Sequence, residues 1–429
     1  MQTERSCRDE HKRNNNKKNQ IQSNENAYKF AVQLNEDIEQ ALCKNRFLRV
    51  LLKPITGKSE RLVSPLSVRE YCDMKNIHKE TLEEAQMRDE YEAACFEKSK
   101  EKIMPFETPD VYYCKLSDIF VLGMNDGMVK DGFILNDRFG FPCADRMNFN
   151  TECVIEKEEK YIVYAHSSQN VEEAISLLGT ASNNYYHWCF DILSKMAYIN
   201  MFPELKDVPL LLDRAVSRHS SYMELLKLVD RYKHPIIFVE RGNLCHVAIL
   251  HYFSPCTFSN VYWKRSEGNY ENTLHFVKIK TAIDMYRKAL VGDVRCAENF
   301  PLKIFISRGA DKVKRLVNEE EVANVLKKSG FEIVDPGMMS IKEQAQLFHA
   351  ARWIIGDEGA ALVNAMYGGS DTTVVCIMPL KWHNRQFTTI AHTAGVKSLV
   401  LDAEETGNDR YHKIDMDYLK RFIDQITGK

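Results

Sequence analysis

The feature that most constrains this chain is a regular alternation of short apolar runs and amphipathic stretches that begins at Lys303. Strand-like runs at Lys303–Ser307, Glu332–Val334, Trp353–Ile355 and Thr373–Ile377 alternate with helical periodicity over Glu319–Lys328, Ile341–Ala350, Ala361–Tyr367 and Arg385–Thr393. Strands joined through helices form parallel βαβ units, so the pattern predicts an α/β fold with a doubly wound sheet. Upstream, Pro209–Leu212, Ile236–Val239 and Val247–Tyr252 read as buried strands, and Tyr185–Ile199, Ser221–Leu228 and Asn272–Leu290 as helices. A boundary falls near Gly292–Pro301.

The first part of the chain is different. Residues 1–24 are polar and without periodicity, which predicts a disordered tail. From Ala27 to Leu52 the apolar residues Phe30, Leu34, Ile38, Leu42 and Phe47 recur at near-helical spacing with Pro54 as a stop, and a charged helix is predicted over Lys79–Lys102 with Pro105 as its stop. Short strands follow between Asp110 and Tyr164. The expected organisation is therefore a tail over 1–24, a helical then β-rich accessory region over 25–160, and two α/β domains over 161–295 and 296–429.

Composition excludes several function classes. Among 429 residues, 58 Lys+Arg stand against 60 Asp+Glu, a formal charge of -2, so the basic surplus of a nucleic-acid binder is missing. No apolar run reaches the ~18 residues of a membrane span, although association at the membrane periphery stays compatible with the sequence. The first twenty residues lack the apolar centre of a secretory signal, and a reducing, cytoplasmic home is expected. Twelve cysteines contain no C-x-x-C pair, so they read as free thiols, most of them buried.

Familiar motifs are missing too. No G-x-G-x-x-G follows a strand, Gly57-Lys58-Ser59 has Leu52 where a P-loop needs glycine, and neither H-E-x-x-H nor G-x-S-x-G occurs. Asp415-Met416-Asp417 spells a D-x-D, but at the start of the last helix it reads as a cap.

Three constellations remain. In Asn183-Asn184-Tyr185-Tyr186-His187-Trp188-Cys189-Phe190-Asp191, a helix would place His187, Asp191 and Lys195 on one stripe. A carboxylate one turn from an imidazole can orient the ring for general-base work, although a polar stripe facing water has the same pattern. In Phe305-Ile306-Ser307-Arg308-Gly309, Arg308 follows a strand, with Arg315 and Asn318 beyond it, where open α/β sheets bind ligands and a guanidinium fork suits phosphate. In Ile355-Gly356-Asp357-Glu358-Gly359-Ala360-Ala361-Leu362-Val363-Asn364, small residues at a strand-to-helix turn let backbone N–H groups approach an anion. Close strand–helix packing is the plainer account of that turn.

In order, these segments resemble the family 61 glycosyltransferases, which include bacterial capsular-polysaccharide enzymes and eukaryotic xylosyl- and N-acetylglucosaminyltransferases. NYYHWCFDILSKM is similar to the family's first signature, and the run from FISRG to GDEGAALVNAMY is similar to its second. The resemblance implies a GT-B-like architecture, two Rossmann-like domains facing a cleft, the first for the acceptor and the second for the nucleotide sugar. The last helix is a candidate to cross back. It also implies an inverting transfer from a nucleotide-sugar donor to a hydroxyl of a glycan or polysaccharide, with no cofactor and no metal.

Carried over to this chain, the family pattern makes Asp191 or His187 the base. Arg308, Gly359, Ala360 and Ala361 would hold the diphosphate, with Arg315, Asn318, Glu358 and Asn364 around the donor. One departure stands out: Glu358 occupies a position where the family usually has histidine. A carboxylate beside a diphosphate is unfavourable, which raises the alternative of a non-catalytic relative that binds nucleotide sugar or glycan.

Overall fold

The computed structural model describes residues 59–88, 91–103, 106–140, 153–157, 159–258, 276–277, 279–291, 300–308, 314–382, 386–407 and 411–428. The predicted tail and the helix predicted from Ala27 to Leu52 lie outside them. The chain divides into two units, Met1–Leu62 with Glu152–His166 and Val63–Thr151 with Ser167–Lys429.

In chain order the first elements are β1 (Ser59–Leu66), α1 (Val68–Lys75), β2 (Lys79–Glu83), β3 (Gln86–Arg88), β4 (Tyr91–Cys95), β5 (Glu101–Ile103), β6 (Phe106–Thr108), β7 (Val111–Leu122), β8 (Met128–Lys130) and β9 (Phe133–Leu135). Next come β10 (Val154–Lys157), β11 (Lys160–Leu177), α2 (Met196–Ile199), β12 (Leu210–Asp213), α3 (Ser220–Val229), β13 (Ile236–Val239), β14 (Asn243–Phe253), β15 (Thr257–Phe258), β16 (Phe276–Val277) and α4 (Lys280–Leu290). The remainder is β17 (Lys303–Ile306), α5 (Glu319–Lys328), β18 (Glu332–Val334), α6 (Ile341–Ala350), β19 (Trp353–Asp357), β20 (Thr373–Met378), α7 (Gln386–Thr393), β21 (Lys397–Asp402), β22 (Glu404–Glu405), β23 (His412–Lys413) and α8 (Met416–Thr427). Within the smaller unit, β10 forms an antiparallel hairpin with the start of β11, Val154 opposite Val163.

The larger unit carries two large sheets, besides two-stranded pairings of β15 with β16, β22 with β23 and β3 with β6. One has the order β1-β9-β8-β7-β14-β11-β12-β13, with β2 also on β7, and is parallel through β11, β12 and β13. The other runs β18-β17-β19-β20-β21-β4-β5, parallel from β18 to β4. Within it the strands β17 to β21 take the order 2-1-3-4-5 of a doubly wound sheet, whose ligand crevice lies where the order reverses, here between the carboxyl ends of β17 and β19.

Side-chain alternation explains why these runs are apolar throughout. Ile304, Ile354, Val374 and Cys376 enter one core while Phe305, Ile355, Val375 and Ile377 enter another on the opposite face, covered by α5 and α8. The first of these cores also holds Ile175, Leu210 and Leu212 from the other sheet, together with Leu225 of α3, Ile283 and Tyr286 of α4 and Phe348 of α6. The two sheets therefore share one apolar interior. Each such aliphatic side chain contributes ~1.5–3 kcal/mol on full burial.

Local signals set the helix ends. Ser340 and Glu343 close a capping box at the start of α6, α5 opens on Glu319, Glu320 and Glu321 and ends on Lys327 and Lys328, and Asp415 caps α8.

The charged helix predicted over Lys79–Lys102 does not form; the described residues there build strands β2 to β5. Glu- and Lys-rich composition favours a helix only weakly, and pairing with distant strands outweighs it. Lys79 lies opposite Cys114 on β7 and Ala94 opposite Leu399 on β21. Residues between 63 and 140 thus supply strands to both sheets. Among the described residues no helix is long and apolar enough to cross a membrane.

One glycine controls the exit from β11. A Cβ at Gly179 would stand 2.5 Å from Cγ1 of Ile192, so any side chain there pushes on the segment that follows. Gly179→Ala is expected to lower stability by ~1–3 kcal/mol, the scale of overpacking, as measured by urea unfolding.

Candidate active site

The segment after β11 forms a helix with one wide turn. His187–Ile192 is a π-helical turn in which Leu193 N–H reaches back to the carbonyl of Trp188, and a tight 3-10 turn, Leu193–Lys195, follows. Carbonyls loosened by such a turn need other donors. The Ser194 hydroxyl donates to the Phe190 carbonyl, and Tyr286 OH donates to that of Cys189 at 2.5 Å.

This turn presents a buried dyad. His187 Nδ1 lies 2.6 Å from Asp191 Oδ2, and both residues are buried. The other carboxylate oxygen, Oδ1, accepts from the hydroxyl of Thr257 on β15. Burial pushes the Asp191 carboxyl up, but the His187 ring, Arg138 and the Thr257 hydroxyl outweigh it and leave the group below its ordinary value. An ionised Asp191 fixes the Nδ1 proton of His187 and so makes Nε2 the basic atom of the ring.

A further layer holds Thr257. Arg138, itself buried, pairs with Asp126, takes the Thr257 carbonyl at 3.4 Å, and Asp126 also accepts from Thr180 at 3.1 Å. Lys195, expected on one stripe with His187 and Asp191, lies beside the Arg138 and Asp126 layer that holds Thr257. The change from wide to tight turn breaks the i, i+4, i+8 register. Its ammonium sits 5.9 Å over the Tyr252 ring, in a small pocket lined also by Asp126, Asn136 and Arg138. Burial and Arg138 push the Lys195 amine down to about 8, against Cys256, Asp137 and Asp191.

The second cluster lies at the crevice between β17 and β19. Arg308 follows β17; its Nη2 donates to the Glu358 carbonyl at 2.7 Å and its Nε stands 3.4 Å from Asp357 Oδ2. Gly359 leaves room for that guanidinium, since a Cβ there would meet Nη2 at 2.5 Å. Arg315 Nη1 donates to Glu358 Oε2 at 2.9 Å. His412 Nε2 is 2.8 Å from Asp357 Oδ1 at an angle poor for a hydrogen bond, both side chains being buried. Burial pushes the Glu358 carboxyl up, Arg315 pulls it down, Asp357 raises it again, Arg308 and His412 oppose, and the result lies above the ordinary value.

The structure thus brings Arg308, Arg315, Glu358 and Gly359 together. Asn318 serves the backbone beside them: its amide clips Ile414, donating to the carbonyl at 2.9 Å and accepting from N–H at 3.2 Å. With His412 N–H on the Arg315 carbonyl at 2.9 Å, that clip holds Arg315 in place. Ala360 and Ala361 open a 3-10 helix, Ala360–Tyr367, rather than an α-helix, and pack against the core. Asn364 is fully buried, donating to Gln344 at 2.8 Å and accepting from Tyr185 OH at 2.9 Å. That last bond ties the turn carrying His187 to the loop carrying Gly359.

Thr257, Arg138, Asp126, Asp357 and His412 are additional members that sequence reasoning did not pick out. Asp357 sits inside the small-residue run, but the others lie far from any motif and are joined to it only by the fold. Asp415 accepts from Tyr418 N–H at 2.7 Å as the cap of α8, and Asp417 pairs with Lys420. Among the described residues no three His, Cys, Asp or Glu side chains converge as a ligand set for a metal.

Residues 185–375 match the family model described as Glycosyltransferase 61, a span that contains both clusters, Thr257 included, apart from Asp126, Arg138, Thr180 and His412. A search of the curated proteins finds no significant match.

The dyad has a pH signature. A depressed carboxyl contributes stability above its unfolded pKa of ~3.9 and loses it as pH falls through the lower folded value. Asp191→Asn is expected to flatten this acid limb in urea melts taken from about pH 3 to 7. Thr257→Val, which removes one hydrogen bond to the charged group, is expected to cost ~1.5–3 kcal/mol at neutral pH, with Thr257→Ser close to wild type.

Proposed function

Starting from residues 185–375 as a member of glycosyltransferase family 61, we propose that this protein transfers a sugar, with inversion, from a nucleotide-sugar donor to a hydroxyl of a glycan or polysaccharide. Family membership makes it a glycosyltransferase acting on a sugar donor and an acceptor. The observation that carries the finer reading is Arg308 seated against Gly359 at the strand-order reversal, a position suited to an anionic ligand.

In this reading Arg308 and Arg315 face the diphosphate and offset the charge that grows as the glycosidic bond breaks, without a metal. His187 takes the acceptor proton through Nε2. Asp191, with Oδ2 on His187 and Oδ1 on Thr257, orients the ring and stabilises the imidazolium that forms. Inversion follows because the hydroxyl attacks on the face opposite the leaving diphosphate. In this reading the first sheet serves the acceptor and the second the donor, as the halves of a GT-B-like enzyme would, and the reaction belongs on the cytoplasmic side, in polysaccharide or capsule assembly.

One observation favours a second reading. Arg315 is already paired with Glu358, so a non-catalytic relative that binds nucleotide sugar or glycan is the alternative. Turnover separates the two.

Arg308→Ala is expected to weaken nucleoside-diphosphate binding by ~1.5–3 kcal/mol in calorimetry, the scale of a charged hydrogen bond, and to lower the thermal unfolding midpoint as well, because the buried Asp357 carboxylate loses a partner. Unchanged affinity would remove Arg308 from the donor site. His187→Ala should retain nucleotide affinity and lose turnover by about 10²–10⁴-fold; full activity would remove the dyad from the mechanism.

A further inference from the structure

The cations at the β17–β19 crevice are already neutralised from within. Arg308 and Arg315 face Asp357 and Glu358, with Nε–Oδ2 at 3.4 Å for the first pair and Nη1–Oε2 at 2.9 Å for the second. The Glu358 side chain is only 12% exposed, so little water screens it. A diphosphate arriving there meets two positive and two negative charges. Its own negative charge would go uncompensated, and the Coulomb cost rises steeply in a half-buried site.

The two carboxylates are not equally able to give way. Asp357 is buried between Arg308 and His412 at the end of β19, whereas Glu358 stands one residue further on, in the loop, with Oε2 on Arg315. We propose that Glu358 is a proton-coupled donor-site residue: it yields Arg315 to the diphosphate and becomes protonated as it does so.

The inference rests on the reading that the diphosphate occupies Arg308 and Arg315. The charge balance is simple. A proton moves from solvent to the Glu358 carboxylate, the Arg315 guanidinium exchanges a carboxylate for a phosphate oxygen, and no covalent bond changes. The groups around Glu358 agree with this direction. Burial already raises its carboxyl, Arg315 is the chief influence holding it down, Asp357 raises it, and Arg308 and His412 oppose. The Cys376 thiol on β20 is pushed up by burial and by the charges of Glu358 and Asp357. Engaging Arg315 with phosphate weakens the chief stabiliser of the ionised form and brings a new anion beside it. Both changes favour the protonated form.

Binding should therefore strengthen as pH falls, since the complex holds more protons than its separated parts. The test is calorimetric titration of the full chain with UDP, GDP and dTDP at about pH 7, in buffers of differing ionisation enthalpy, for wild type and Glu358→Gln. The difference between the two proteins removes the nucleotide's own terminal phosphate titration. Expected are a proton uptake in wild type that exceeds that of Glu358→Gln by a sizeable fraction of one proton, and about tenfold tighter binding by Glu358→Gln, since one unit of pKa rise on binding equals tenfold. Equal uptake in the two proteins, or weaker binding by Glu358→Gln, overturns the proposal while leaving the donor site standing. No binding of any of the three between about pH 5.5 and 8 overturns the donor-site reading and this inference with it. Wild type titrated in the same buffers with UDP-glucose, whose diphosphate has no terminal phosphate to titrate near neutral pH, gives a proton uptake that does not depend on how well the variant folds, and no uptake on binding it overturns the proposal.

Discussion

At the candidate site buried charge is held in pairs, and the site depends on those pairs more than on any other interaction. An isolated ionised group in an apolar interior is prohibitively costly, so each buried ion dictates where its partner must stand. His187 is placed by Asp191, Asp191 by Thr257 as well, and Thr257 by an arginine that Asp126 holds. On the other sheet Arg308 and His412 converge on Asp357, and Arg315 on Glu358. The reactive geometry is what results from meeting these demands one after another. The same chains of partners link loops that are more than a hundred residues apart in sequence.

This explains which parts of the structure could be read from the residues alone. Helices α5 and α6 and strand β18 are found where periodicity and the Glu- and Ser-based start signals put them, because those signals are local. The run from Lys79 to Lys102 is the opposite case. Nothing within it announces that Ala94 will lie beside Leu399, so its helical composition misleads. The π-helical turn is a similar case: hydroxyls from Ser194 and Tyr286 take carbonyls that a regular helix would keep.

The candidate site divides along the same line. His187 and Asp191 are four residues apart and their pairing is legible, as is Arg308 just past a strand. Lys195 obeys the same arithmetic on paper, but the change of helical pitch interrupts its register and its ammonium lies over the Tyr252 ring. Asn318 and Asn364 look like ligand residues by type and position, yet their amides are engaged with Ile414, Gln344 and Tyr185. Thr257 and His412 carry no local mark at all, because what makes them part of the site is a contact across the fold. Residue type announces chemistry, and only the three-dimensional partners decide whether that chemistry faces a ligand or the interior.

Strand β4 has one more consequence. It lies parallel to β21 at the side of the second sheet, and Tyr91 at its start bonds Thr389 on α7 at 2.7 Å and stacks on His392 with ring centres 4.2 Å apart. The polypeptide that closes this sheet is therefore synthesised some 300 residues before the strand it covers. Until it docks, β21 is a bare edge with Leu399, Val400 and Leu401 in line, the kind of template on which chains recruit one another. A fragment starting at Lys303 would carry every strand of the alternating pattern and still leave that edge open. The doubly wound half is continuous in sequence but not self-sufficient, and excising it should trade a folded domain for an aggregating one.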